Sequence, residues 1–240
     1  MKIFVWILLF LLVINVIAAL ITVFRKPRSI SSVLAWMMTL IFLPGIGFII
    51  YLFCGRGIDG QEVFKLSDDE KQMVQRIKEK VDVDNKKAGR DKRYDLLYDA
   101  KVLNRYFRNM DASPLAKRNS LQLFTDGQEK FQALFEDIRA AKETVHVEYY
   151  AFFNDTIGNQ FLDVLIEKLH EGVEVYLIYD PWGSPGANKK FFARYVDAGG
   201  KVAPFITSRD MIRKTRLNYH LHRKIVVIDG KIGWTGGFNV

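Results

Sequence analysis

Near the C-terminal end of the sequence, His222 and Lys224 stand two residues apart, Asp229 follows, and Gly236, Gly237 and Asn239 come shortly after. These types suit phosphodiester transfer. Phosphodiesters resist nucleophiles because their oxygens are anionic. A lysine ammonium neutralises that charge, and an asparagine amide donates to a second oxygen. A neutral imidazole is a competent nucleophile near neutral pH when its other ring nitrogen is held by an acceptor. Glycines let the backbone approach a phosphate closely. The expected catalytic set is His222, Lys224 and Asp229. The expected phosphate-binding set is Lys224, Asn239, Gly236 and Gly237. Each residue has a plainer reading alone: Lys224 as a strand-end charge, Asp229-Gly230 as an ordinary hairpin turn, His222 as a surface histidine. Their coincidence with Asn239 favours the chemistry. His220 lies outside the spacing and takes no role here.

Positioning these groups requires strands. Ile225–Asp229 (IVVID) reads as a buried strand, with His222 and Lys224 on one face just before it. Asp229-Gly230 makes a tight turn. The following KIGWT returns alongside and carries Gly236, Gly237 and Asn239 back toward the level of His222. Upstream, strands and helices alternate. Leu121–Thr125, Thr144–Phe153, Val173–Asp180 and KVAPFI read as strands. Gln128–Lys142, Ile157–His170 and Ala187–Ala198 read as helices, stopped by Gly172 and by Gly199-Gly200. The near-continuous apolar run VEVYLIYD suits a sheet buried on both faces. The pattern predicts an α/β fold with a mixed, mainly parallel sheet flanked by helices.

Two apolar runs precede this part. Ile3–Phe24 carries no charge and is long enough to cross a ~30 Å hydrocarbon core. It is too long for a cleaved signal peptide and ends at Arg25–Ser29. Ser32–Phe53 follows, interrupted by Pro44, Gly45 and Gly47, with Trp36 and Tyr51 near its two ends as belt residues. The expectation is a two-helix transmembrane hairpin. Its short connection holds Arg25, Lys26 and Arg28, and its other flanks hold Lys2, Arg56, Lys65 and Lys71, so cationic bias does not orient it. Ser67-Asp68-Asp69-Glu70 predicts a capping box opening a linker helix with Met73, Val74, Ile77 and Val81 at helical spacing. Asn85–Arg93 is basic, and Tyr94–Phe107 is a second amphipathic stretch. The predicted organisation is 1–54 membrane hairpin, 55–115 charged helical connector and 116–240 catalytic half.

Hydrophobic residues make up 49% of the 240, concentrated before Cys54, so the net charge of +8 belongs largely to the remainder. A basic domain beside a membrane suits anionic headgroups, although basic character alone would equally suit nucleic acid. The single cysteine excludes an internal disulfide and a cysteine-based metal cluster.

The pattern His222-x-Lys224-x-x-x-x-Asp229 followed by Gly236-Gly237-Phe238-Asn239 resembles the phospholipase D superfamily motif. With the apolar N-terminal hairpin, VHVEYYAFFND, GVEVYLIYD and HRKIVVIDGKIG, the whole chain resembles bacterial cardiolipin synthases. The family's Gly-Ser pair is Gly236-Gly237 here. The resemblance implies a phosphatidyltransferase that joins two phosphatidylglycerol molecules into cardiolipin and glycerol through a phosphohistidine, without a metal or organic cofactor. Its implied partners are phosphatidylglycerol and membrane lipid, with no nucleic acid, in a multi-pass bacterial cell membrane location. The family uses two such motifs, whereas this sequence has one and stops at Val240. The expectation is a truncated chain, incomplete by itself, whose second motif comes from a missing C-terminal region or a homodimer partner. The alternatives are a single-motif phosphodiesterase or nuclease completing its site as a homodimer, and an inactive membrane-bound remnant.

Overall fold

Five strands carry the site-bearing part of the chain: β1 (Thr144–Tyr149), β2 (Glu174–Tyr179), β3 (Lys201–Pro204), β4 (Lys224–Ile228) and β5 (Ile232–Thr235), in the order β3-β2-β1-β4-β5. The computed structural model describes residues 29–43, 45–55, 67–88, 119–207 and 220–240, with isolated positions between 3 and 21 and at 102, 103 and 106. β1 pairs parallel with β2, and β2 with β3. β1 pairs antiparallel with β4, and β4 with β5. The sheet is therefore mixed with equal shares, not mainly parallel. The IVVID–KIGWT hairpin, which turns at Asp229-Gly230, supplies the antiparallel half.

Helices α4 (Gly127–Ala140), α5 (Thr156–His170) and α6 (Lys189–Asp197) begin where the sequence provides caps. Asp126 accepts from the Glu129 amide at 2.9 Å, Asp155 from Gly158 at 2.9 Å, and Asn188 from Lys190 at 2.9 Å. Gly172 and Gly199 end α5 and α6 with φ of 87° and 95°. Apolar faces of all three helices join Val145, Val147, Tyr149, Val175, Leu177, Val226 and Ile228 in one core. Those strand residues share a single sheet face, because they alternate with outward neighbours along each strand. Among the described residues the opposite face lacks a helix layer. It shows His146 stacked on Tyr176 at 5.0 Å between ring centroids. The expected burial on both faces is thus corrected: both parallel crossovers run on the same side, as their shared handedness demands.

A second correction concerns residues 121–125, which form no strand. Leu121 is 95% and Leu123 84% exposed, and only Phe124 comes against the sheet, its ring 5.2 Å from Trp234 on β5. Alternating apolar residues make a strand only where a neighbouring strand completes their hydrogen bonds.

Lys130 on α4 donates to the Tyr149 hydroxyl at 2.9 Å and lies 3.7 Å from the Phe131 ring centroid. Burial pulls its ammonium pKa down to about 8. Between that value and the ordinary 10.5, the unfolded chain binds the extra proton, so stability rises with pH across this window. Urea unfolding from pH 8 to 10 is expected to show this rise in the wild type and to lose it in Lys130→Met.

In the connector, the capping box forms as expected: the Ser67 amide donates to Glu70 at 2.7 Å and the Glu70 amide to the Ser67 hydroxyl at 3.3 Å. It opens α3 (Asp68–Ala88), on which Met73, Val74 and Ile77 are exposed. Tyr94–Phe107 and most of Asn85–Arg93 lie outside the described residues, apart from isolated positions and the end of α3.

The described positions between 3 and 21 are helical. The second apolar run does not form one long helix. It divides into α1 (Ile30–Phe42), α2 (Ile46–Ile50) and a π-helical turn at Tyr51–Gly55, with Gly45 at φ 83° in the break. No described helix is long and apolar enough to cross a membrane. Trp36 and Tyr51, expected at opposite ends of a span, pack edge to face at 5.2 Å.

Candidate active site

The site forms at the carboxyl edge of the parallel strands, where open α/β sheets place their ligands. β1 continues past Tyr149, and the Tyr150 amide donates to the Arg223 carbonyl at 2.9 Å. This bond extends the β1–β4 pairing to the residues just before Lys224. In that extended segment His222 and Lys224 share a face, as their spacing predicts. The lysine nitrogen lies 3.4 Å from Nε2 of His222. Both cluster on the Tyr150 ring, His222 at 4.6 Å between centroids and the Lys224 ammonium at 5.2 Å from the centroid. Lys224 is only 7% exposed, and its removal from water lowers its pKa below the ordinary lysine value. The aromatic face compensates part of the lost hydration.

Gly236 and Gly237 follow β5 directly. Thr235 pairs with Ile225, so they leave the sheet at the level of Lys224 and beyond. A Cβ added at either would meet nothing within 4 Å. This edge is open, with room for an anion or for the hydroxyl that a serine would bring. The chain then turns inward. The Val240 amide donates to Ala151 at 3.1 Å and the Phe153 amide to the Val240 carbonyl at 2.9 Å. Asn239 is thereby held at the same edge of the sheet, exposed.

Asp229 behaves differently. It sits beyond the other end of β4, about 16 Å from Lys224 at the rise of an extended strand. Its carboxylate accepts three backbone N–H groups, from Lys142 at 2.9 Å, Glu143 at 2.8 Å and Thr144 at 2.9 Å. The bond from Thr144, then those from Glu143 and Lys142, hold its pKa below the ordinary 3.8. The structure therefore brings His222 and Lys224 together and uses Asp229 to lock the start of β1 onto the β4–β5 turn. A carboxyl with a depressed folded pKa stabilises the fold above its unfolded pKa and loses that contribution as pH falls through the folded value. Asp229→Asn is expected to lower the urea midpoint at pH 7 and to flatten stability against pH below about 4. Equilibrium unfolding from pH 2.5 to 7 checks both.

Residues without a role in the spacing argument complete the edge. Asp180, 1% exposed at the end of β2, accepts the amides of Trp182 at 2.8 Å, Gly183 at 3.3 Å and Leu221 at 2.8 Å. It ties the PWG loop to the backbone between His220 and His222. Its second oxygen also lies 3.5 Å from Nδ1 of His220, a nitrogen buried without a hydrogen bond. The His220 ring is 6.4 Å from Tyr150 and 5.8 Å from Trp182. His220 thus borders the site despite falling outside the motif. The sequence signal was available: His220 precedes His222 by the same two residues that separate His222 from Lys224. Asp180 closes an apolar strand before a Pro-Trp-Gly loop, a place where a buried carboxylate serves as a turn anchor. Among the described residues, no group of three or more His, Cys, Asp or Glu side chains could hold a metal ion.

Residues 134–240 match a family model described as cardiolipin synthase, PLD-like domain. Residues 13–56 match one described as phospholipase D-nuclease N-terminal. Among curated proteins, the cardiolipin synthase of Listeria monocytogenes serotype 4b (strain CLIP80459) is 39% identical over 246 residues, covering 98% of this chain and 49% of that protein. The cardiolipin synthase of Staphylococcus aureus (strain Mu50) is 37% identical over 234 residues, covering 95% of this chain and 46% of that protein. The chain spans about half the length of these relatives. Among solved structures, NucT from Helicobacter pylori aligns at 24% identity with a TM-score of 0.37, over 51% of this chain and 74% of that one.

Proposed function

We propose, for a chain whose residues 134–240 are a phospholipase D-like domain of the cardiolipin synthase family, that it supplies one half of a membrane phosphatidyltransferase making cardiolipin from two phosphatidylglycerol molecules. The observation that carries this reading is the His222–Lys224 pair, 3.4 Å apart at a glycine-lined open edge. His222 acts as the nucleophile on phosphorus, forming a P–N bond as the P–O bond to glycerol breaks. A second histidine, from a further region of a longer chain or from a second copy, donates the proton that the leaving glycerol takes. That same group then removes the proton of the acceptor phosphatidylglycerol hydroxyl, whose oxygen displaces His222 and yields cardiolipin. Lys224 neutralises a non-bridging oxygen throughout, and Asn239 and the backbone at Gly236 and Gly237 hold another. Asp229 and Asp180 are positioning residues, the first for β1 against β4 and the second for the segment bearing His222.

The apolar N-terminal part holds the protein at the membrane where its substrate resides. The cell membrane is the expected location, with Ile3–Phe24 as the crossing. The direct assay uses the purified chain in detergent with labelled phosphatidylglycerol, after its oligomeric state has been sized. Glycerol release by an oligomer, abolished in His222→Ala, supports a composite site. Absence of release in every oligomeric state contradicts activity of this chain by itself.

A further inference from the structure

The apolar run between Arg28 and Arg56 contains no charged residue, yet its fold is that of a short helical hairpin. α1 has 13 residues, about 20 Å of helix, which is shorter than the ~30 Å hydrocarbon core. The chain then reverses. Gly47 packs so closely on α1 that a Cβ there would lie 2.5 Å from the Thr39 carbonyl oxygen. Tyr51 returns to the level of Trp36, and both Tyr51 and Leu40 are buried between the two arms. The break is largely satisfied internally: the Leu43 amide donates to Thr39 at 3.0 Å and the Gly47 amide to Leu43 at 2.6 Å. Outward-facing Ile30, Leu34, Met38, Ile41, Phe42, Ile46 and Ile49 stay exposed. A charge-free hairpin with its backbone bonded inside and its apolar side chains outside fits acyl chains as its partner.

We infer that residues 29–55 enter and leave the bilayer from the same side, as a re-entrant hairpin, leaving Ile3–Phe24 as the one crossing in this part of the chain. This arrangement breaks the tie in the cationic flanks. Arg25, Lys26 and Arg28 fall on the same side as Arg56, Lys65 and Lys71, and only Lys2 lies on the other. The positive-inside rule then places the hairpin ends and the phospholipase D-like domain on the cytoplasmic side, and Met1 on the outer side. The domain draws its phospholipid from the cytoplasmic leaflet.

Cys54 is the sole cysteine and is exposed, so it reports on one end of the hairpin without engineering. The other end is read by Ser29→Cys in a Cys54→Ser background. A membrane-impermeant maleimide is applied to the full chain in inverted and right-side-out inner-membrane vesicles. Both cysteines are expected to react in inverted vesicles and to be protected in right-side-out ones. Reaction of the two from opposite sides, or of both from the outer side, overturns the inference. Nitroxides on Ser29→Cys and native Cys54, in phosphatidylglycerol–phosphatidylethanolamine vesicles, give a readout independent of accessibility. A continuous helix would separate the two backbone positions by about 38 Å. A distance at or below about 25 Å is expected from the returning arm, and one near the continuous-helix value overturns it.

Discussion

Replacing His222 by alanine is expected to lower phosphatidylglycerol turnover in the assembled enzyme by on the order of 10⁴-fold or more, with little change in the unfolding midpoint. The imidazole stands at the open edge of the site. It lies in an extended segment outside the helix-packed core, its ring on Tyr150 and its Nε2 beside the Lys224 ammonium. No core contact depends on it, so the loss is chemical rather than structural. Without the ring there is no group to form the P–N bond, and water attack on an intact phosphodiester is too slow to substitute. Single-turnover glycerol release, followed beside circular dichroism of the same sample, separates the two effects. Turnover that survives His222→Ala within about tenfold would rule out His222 as the nucleophile.

Lys224→Met carries the second largest expected effect, a fall of about 10²- to 10³-fold in turnover. Methionine keeps most of the buried aliphatic stem while removing the charge, so packing against Tyr150 survives. A buried ammonium is costly in the free protein, as its lowered pKa records. The Tyr150 face offsets part of that cost and an arriving anion offsets more, which makes the charge worth more against phosphate than it would be in water. The loss is therefore expected in catalysis and phosphate affinity, while unfolding stability holds or rises. An equal loss of stability and turnover would mark Lys224 as a structural residue.

How much of this was legible before the fold was known differs by element. The His222–Lys224 juxtaposition followed from a strand period of two, because the segment is in fact extended. The Asp229-Gly230 turn and the return strand were equally readable, since the turn chemistry is local. Asp229 stands where it was expected, at the turn that closes the strand, but what it does there was not readable: the length of β4 separates it from Lys224, and its backbone partners at 142–144 are remote in sequence. Leu121–Thr125 failed for a related reason: alternation shows which side chains want burial, not whether a strand edge is available. That the helix layer is one-sided among the described residues was missed because VEVYLIYD carries apolar residues on both faces, and composition does not reveal which face a crossover covers. The second apolar run was read as a span interrupted at Pro44, Gly45 and Gly47, with Trp36 and Tyr51 as its belts. Its fold-back depends on Gly45 and Gly47, small residues that permit a close return but do not announce one.

His222 is proposed as the nucleophile of a half-site for phosphatidyl transfer. The most direct measurement is mass spectrometry of the protein quenched after incubation with phosphatidylglycerol vesicles. The expected result is a phosphatidyl adduct on the peptide containing His222, its P–N linkage lost in acid and retained in base while the acyl esters are saponified, absent from His222→Ala and diminished in Lys224→Met. An adduct on any other residue, or an unmodified His222 in protein that is releasing glycerol, would contradict it.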